Sequence, residues 1–115
     1  MSLPPAPLPA GEAWLLESLV EPIPGGIASR VLARAGGGTL TLFAFDAGTG
    51  LGEHTSPVDA LVLVLAGAIV VTLDGARTDV VPGSMLRLPG GVPHAVEARE
   101  PSRMLLVLLR DHVAP

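Results

Sequence analysis

The chain has 115 residues, the size of a single domain, and 49% of them are hydrophobic, which excludes disorder over most of its length. The net charge is −4 with no basic cluster, so nucleic acid and anionic membranes are disfavoured as partners. The absence of cysteine excludes disulfides and thiolate metal sites. The longest apolar run, residues 60–71, is shorter than the roughly 20 residues of a membrane span, and no signal-like leader opens the chain, so we expect a cytoplasmic protein.

The chain divides into a tail and one folded domain. Residues 1–11 are predicted to form a loosely held N-terminal tail because they are rich in proline. Residues 12–115 are predicted to form a single β domain. Its first segment, residues 12–19, leaves a short strand and one helical turn as open alternatives.

Strand signals then recur at short intervals, separated by glycine and proline turns. Residues 47–52 are predicted to form a glycine-rich loop, and Asp74–Gly75 a two-residue hairpin turn. Many short strands with regular turns indicate an all-β sandwich or antiparallel barrel. The predicted strands cover residues 27–35, 39–46, 58–66, 68–73, 78–81, 84–88, 94–98 and 103–110.

Two spaced patterns of glycine, histidine and proline stand in the two halves of the chain. In the first, Gly48 precedes His54 by six positions and Gly67 closes the pattern. The second contains Gly83, Pro89, Gly91 and His94. In order and spacing these residues resemble the two signature motifs of the cupin superfamily. The resemblance implies a small antiparallel jelly-roll β-barrel that can hold a metal in its mouth.

The resemblance also implies which residues form the site, but only two of the four metal-ligand positions hold the expected residue type. His54 and His94 occupy metal-ligand positions, whereas Ser56 stands in the position of a second histidine and Ala60 in that of a glutamate. Alternation along a strand would place positions 54, 56 and 60 on one face, so we expect a ligand pocket formed by His54, Ser56 and His94. An irregularity near Pro57 would be needed to turn Asp59 inward as a further metal ligand.

Three functions remain open for such a barrel. The first is small-molecule binding through one divalent transition metal (iron, manganese, nickel or zinc) held by His54 and His94, with metal-assisted oxygenation, isomerisation or hydrolysis as the enzymatic possibility. The second is a metal-free barrel that binds or senses a ligand, in which each histidine only hydrogen-bonds a carbonyl. An assembly module without a ligand is a third alternative. The absence of tyrosine disfavours cupins that epimerise sugars with a His–Tyr pair.

Assembly can also be predicted from the strands. Residues 61–65 and 105–109 are apolar on both faces, although a barrel strand needs only one apolar face. The outward side chains would form an exposed apolar patch unless a partner covered them. We therefore expect a homodimer.

Overall fold

The computed structural model describes residues 8–110, which form strands almost throughout. The first element is a short 3-10 helix, Leu16–Ser18, so residues 12–19 contain a helical turn rather than a strand. Most of the predicted tail, residues 1–7, and the last five residues of the predicted domain lie outside the described part of the chain. The strands are β1 (Ile27–Ala35), β2 (Gly38–Phe45), β3 (Gly50–His54), β4 (Asp59–Ala66), β5 (Ile69–Leu73), β6 (Ala76–Val80), β7 (Met85–Leu88), β8 (His94–Ala98) and β9 (Ser102–Leu109).

The strands form two antiparallel sheets. One sheet has five strands in the order β1-β2-β9-β4-β7, and the other has four in the order β3-β8-β5-β6. This arrangement confirms the predicted all-β jelly roll. No helix among residues 8–110 has the length and apolar character needed to cross a membrane.

Strand β3 differs from the prediction. Residues 47–52 were expected to form a loop, but Gly50 begins a strand that pairs with β8 through Gly50–Glu97 and Leu51–Val96. A Cβ atom at Gly50 would lie 3.0 Å from the Cα of Glu97 and closer still to the carbonyl oxygen of Val96. The glycine therefore permits close approach of two strands, and the loop prediction was wrong over residues 50–52.

The main core lies between the two sheets and is aliphatic. Strand β4 alternates between buried and half-buried residues, with Ala60, Val62 and Val64 facing inward. Met104 of β9 and Val71 of β5 are also fully buried in this cluster. Period-two alternation of this kind fixes the register, because a shift by one residue would expose the inward side chains.

A second core lies on the opposite face of the five-stranded sheet. Leu42 and Leu105, which are paired across β2 and β9, pack with Leu19 and Val20 of the segment that precedes β1. Trp14 packs against the same cluster. The chain thus covers part of the outer apolar face that the sequence predicted to be covered by a partner.

Candidate functional site

The two motif histidines lie side by side on adjacent strands. His54 is the last residue of β3 and His94 is the first residue of β8, and the two residues are paired in register. Their Nε2 atoms are 3.2 Å apart. The ring centroids are 4.4 Å apart and the ring planes meet at 70°. His94 is only 5% exposed, whereas His54 is an exposed residue, so the pair joins the interior to solvent.

The contacts of the other ring nitrogens favour one tautomer of each ring. The Nδ1 atom of His54 lies 2.7 Å from the carbonyl oxygen of Gly52, and that of His94 lies 3.1 Å from the carbonyl oxygen of Val92. A carbonyl oxygen only accepts, so these contacts favour the tautomer with the hydrogen on Nδ1. In neutral rings, each Nε2 then presents a lone pair to the other. A metal ion or a shared proton between the two nitrogens would stabilise such an arrangement.

The loops that follow β3 and precede β8 are held together by backbone contacts. The amide of Gly91, which has a φ of +80°, donates a hydrogen bond of 2.7 Å to the carbonyl oxygen of Ser56. This bond joins the two sequence motifs at the rim. Ser56 lies beyond the end of β3, and its Oγ accepts a bond of 3.3 Å from the amide of Val58. The strand alternation used to place positions 54 and 56 together therefore does not apply.

Asp59 binds the neighbouring rim loop. Its carboxylate accepts a 2.8 Å hydrogen bond from the amide of Gly90 and a 2.9 Å bond from the Nη1 atom of Arg87. These two contacts, the backbone bond first, lower the pKa of Asp59 below its ordinary value. The carboxylate is thus engaged away from the imidazoles, and within residues 8–110 no third acidic or histidine side chain joins the pair. The sequence offered no signal for the roles of Arg87 and Gly90.

The buried side chains of residues 8–110 are almost all apolar. Among residues 8–110, the buried polar side chains are those of His94 and Ser102. Ser102 belongs to a different corner of the barrel, where its Oγ accepts a bond from the amide of Ala68. Ala60, at the position of the expected glutamate, is buried and contributes no ligand atom. His94 is therefore the buried titratable side chain of residues 8–110, and the exposed His54 pairs with it.

The separation of the two Nε2 atoms is compatible with a single metal ion bound to both. Two nitrogens that each lie about 2.0–2.1 Å from one zinc ion are at most about 4.2 Å apart. The observed 3.2 Å separation lets one ion contact both Nε2 atoms. The carbonyls of Gly52 and Val92 fix the ring orientation and tautomer, as outer contacts of metal-bound histidines do.

Comparison with known proteins agrees with this architecture. The cupin domain family model matches residues 41–108. A conserved protein of unknown function from Streptococcus pyogenes is 31% identical, with 98% of each chain covered and a TM-score of 0.86. A cupin superfamily protein from Desulfitobacterium hafniense is also 31% identical, with 91% of this chain and 96% of that chain covered and a TM-score of 0.84.

A third solved structure has a higher sequence identity over a smaller part of the chain. A cupin 2 conserved barrel domain protein from Leptotrichia buccalis is 38% identical over 82% of this chain and 46% of its own, with a TM-score of 0.78. No curated protein sequence matches the chain. The family match spans more than half of the chain and includes both motif histidines, and the structural matches extend beyond it. The chain belongs to the cupin superfamily.

Proposed function

We propose that this cupin binds a small molecule at the rim between its two sheets, through a divalent transition metal held by the Nε2 atoms of His54 and His94. The observation that carries the proposal is the 3.2 Å separation of these nitrogens while both Nδ1 atoms face carbonyl oxygens. Family membership supports the coarser function, a small-molecule-binding barrel. Ser56, whose carbonyl oxygen accepts a hydrogen bond from the amide of Gly91, is proposed as a further contact to the ligand.

The chain's own residues would do three things for such a site. His94, which is almost fully buried, would anchor the ion against the barrel, and His54 would hold it from the solvent side. The carbonyls of Gly52 and Val92 would keep both rings in the tautomer that presents Nε2. The metal, when bound, would act as a Lewis acid that polarises an oxygen atom of the ligand. Asp59 is proposed as a positioning residue for the loop at Gly90 rather than as a ligand.

A metal-free binding barrel is the second candidate function. It is favoured by the donor count, because Ser56 and Ala60 occupy two ligand positions and residues 8–110 hold no cluster of three ligand side chains. In that case a proton would bridge the two Nε2 atoms, and the ligand would contact the imidazoles directly.

Elemental analysis separates the two functions. The protein should be purified without a metal-affinity column and measured for iron, manganese, nickel and zinc, then stripped and titrated with each ion by calorimetry. Stoichiometric metal, or saturable binding of one ion per chain, supports the metal-dependent function. Metal-free protein that binds none of the ions favours the proton-bridged barrel.

The homodimer also stays a proposal. The outer face of the five-stranded sheet beyond the N-terminal segment carries half-buried Leu61 and Val107, which are register partners, and Leu40 on the far side of Val107. Met85 is 57% exposed and Leu109 is 44% exposed in the single chain. A second copy covering this face would remove these apolar side chains from water. A cytoplasmic location remains a prediction from the sequence.

A further inference from the structure

We propose that Asp59 and Arg87 are positioning residues for His94. They hold the loop that precedes β8, and this loop orients the imidazole of His94 through the carbonyl oxygen of Val92. The inference rests on the proposed function only in that the histidine pair is the ligand site, and it requires no metal ion. We call residues 89–93, which join β7 to β8, the rim loop.

The first half of the rim loop is held from the start of β4. The amide of Gly90 donates a 2.8 Å hydrogen bond to the Oδ1 atom of Asp59, the first residue of that strand. The Oδ2 atom of Asp59 accepts a 2.9 Å bond from the Nη1 atom of Arg87 on β7. A Cβ atom at Gly90 would lie only 3.0 Å from the carbonyl oxygen of Pro57. The backbone of the rim loop therefore packs closely against the segment before β4, and Asp59 binds it there.

This hydrogen bond matters because the rim loop contains two adjacent glycines. Gly90 and Gly91 have no Cβ atom, so their backbone can adopt more conformations than that of other residues. Each of the two amides donates one hydrogen bond, that of Gly90 to Asp59 and that of Gly91 to the carbonyl oxygen of Ser56 at 2.7 Å. Together these bonds restrict the part of the loop that has the greatest conformational freedom.

The second half of the rim loop transmits this restriction to His94. Pro93 has a fixed φ, and a residue before proline is confined to extended conformations, so Val92 has little freedom of its own. The carbonyl oxygen of Pro93 accepts a 2.8 Å hydrogen bond from the amide of Asp74. The direction of the Val92 carbonyl is therefore set by where Gly91 and Pro93 are held. That carbonyl oxygen lies 3.1 Å from the Nδ1 atom of His94 and orients the ring.

The ion pair that holds the carboxylate is itself exposed to solvent. The side chains of Arg87 and Asp59 are 60% and 45% exposed. An exposed ion pair contributes little to the stability of a whole domain. Loss of either side chain should therefore change the rim loop and the ring of His94 while the barrel stays folded. A positioning role can thus be separated from a general structural role.

The orientation of His94 can be measured by NMR on the full chain without a ligand. Metal-stripped, ¹⁵N-labelled protein is studied at about pH 8, where an ordinary imidazole is neutral. Long-range ¹H–¹⁵N correlation spectra show which ring nitrogen of His94 carries the hydrogen. Hydrogen exchange of the Gly91 amide, which is not bonded to Asp59, reports whether the rim loop opens.

Three variants and one control are compared with the parent. Asp59→Ala removes both contacts of the carboxylate, Asp59→Asn keeps an acceptor for the loop amide, and Arg87→Gln removes only the ion pair. The control is Glu97→Gln, which breaks the Arg77–Glu97 ion pair. Both of its side chains are also more than half exposed, and Glu97 lies on β8 itself.

We expect the hydrogen of His94 to be on Nδ1 in the parent and to move to Nε2 in a measurable fraction of Asp59→Ala. In the same variant the Gly91 amide should exchange on the order of 10- to 100-fold faster, the factor that corresponds to loss of a hydrogen bond to a charged group. Arg87→Gln should change both readouts in the same direction by less. Asp59→Asn should restore most of the parent tautomer, and Glu97→Gln should leave both readouts unchanged.

A folded Asp59→Ala in which His94 keeps its hydrogen on Nδ1 would overturn the inference but leave the metal-dependent function standing. An equal change in Glu97→Gln would attribute the effect to net charge and would also overturn it. If Asp59→Ala does not fold, Arg87→Gln decides, and parent values of both readouts in that variant contradict the inference. A parent His94 with its hydrogen on Nε2 would contradict both this inference and the tautomer required by the proposed metal site.

Discussion

His54 and His94 meet through their Nε2 atoms at 3.2 Å, and each ring is held by the carbonyl oxygen two residues before it in the chain. The same contact with a carbonyl oxygen therefore occurs at both histidines and orients the two rings so that their Nε2 atoms face each other. If both Nδ1 atoms donate to these carbonyls, neutral rings bring two Nε2 lone pairs together, and a positive charge between them would relieve the repulsion. The chemistry of the site follows from whether that charge is a proton or a metal ion.

Replacement of each histidine distinguishes these cases. If the pair holds a metal, His94→Ala and His54→Ala should each abolish calorimetric metal binding while circular dichroism stays native. If His94 is only a structural hydrogen-bonding residue, its loss should leave the carbonyl of Val92 without that partner and cost about 1–3 kcal/mol of stability. A destabilised His94→Ala, together with a parent protein that binds no metal, would contradict the metal-dependent function.

The Ser56→His variant tests whether the missing donor limits affinity. Ser56 is on the rim, where its carbonyl accepts a hydrogen bond from Gly91, and only a 3.3 Å bond from Val58 would be lost with the hydroxyl. We expect a third imidazole to tighten metal binding, because catalytic zinc sites commonly hold the ion with three protein ligands. Calorimetric titration beside Ser56→Asn, which adds a polar group without a strong ligand, gives the comparison. Unchanged affinity in Ser56→His would show that this rim position cannot reach the ion.

The fold was more predictable from the sequence than the details of the site. The glycines that carry the motif resemblance have a structural reason, since Gly48, Gly67, Gly83 and Gly91 all have positive φ angles. Gly50 was assigned to a loop because the contact that requires a glycine there, with the backbone of β8, involves residues distant in sequence. The partners of Asp59 were also not predictable from the sequence, because Arg87 is 28 positions away and Gly90 contributes only its backbone amide. Sequence patterns do not predict which backbone atoms will be in contact when the residues are far apart in the chain.

The corner at Gly67 should be among the most sensitive positions in the barrel. Gly67 has a φ of +93°, and a Cβ atom there would overlap the Ser102 side chain and lie 2.5 Å from the carbonyl oxygen of Pro101. We expect Gly67→Ala to lower the free energy of unfolding by about 2–4 kcal/mol through strain and overpacking. Gly36→Ala is the matched control, because a Cβ atom at Gly36 meets nothing within 4 Å and its φ is not positive.

Urea unfolding of both glycine variants provides the measurement. The control should stay within about 0.5 kcal/mol of the parent. Equal and small effects of Gly67→Ala and Gly36→Ala would show that the corner can rearrange to accept a side chain. Loss of folding in Gly67→Ala alone agrees with the prediction.

Asp46 should contribute to the acid sensitivity of the fold. Its carboxylate accepts hydrogen bonds from the amides of Gly25 and Ala47, which lower its pKa below the ordinary value of 3.8. A carboxyl whose pKa is lower in the folded state stabilises the fold above its unfolded pKa, and this contribution disappears as the pH falls through the folded pKa. Asp46→Asn should therefore be less stable than the parent at neutral pH, with a difference that shrinks in acid.

Thermal melts of parent and Asp46→Asn between about pH 7 and pH 2 would reveal this convergence. Asp79→Asn, at an exposed position on β6, controls for the general loss of one negative charge. A difference between parent and Asp46→Asn that stays constant across the whole range would exclude a role for ionisation of Asp46.

The last prediction concerns the outer face of the five-stranded sheet. Val107 of β9 lies between Leu40 of β2 and Leu61 of β4 in the register, so it is central to the apolar surface left by the N-terminal segment. Full burial of each large aliphatic side chain there would contribute about 1.5–3 kcal/mol. Light scattering of the parent at low micromolar concentration should give about twice the chain mass of 11.7 kDa.

Val107→Lys should convert this dimer to a monomer, because a charged group at the centre of an apolar interface loses its hydration without gaining a partner. Thr78→Lys, at an exposed position on β6 in the other sheet, adds the same charge outside the proposed interface and should remain dimeric. Circular dichroism must show that both variants are folded. A monomeric parent, or a folded Val107→Lys that stays dimeric, would mean that the apolar face of β9 and β4 is not the contact between copies.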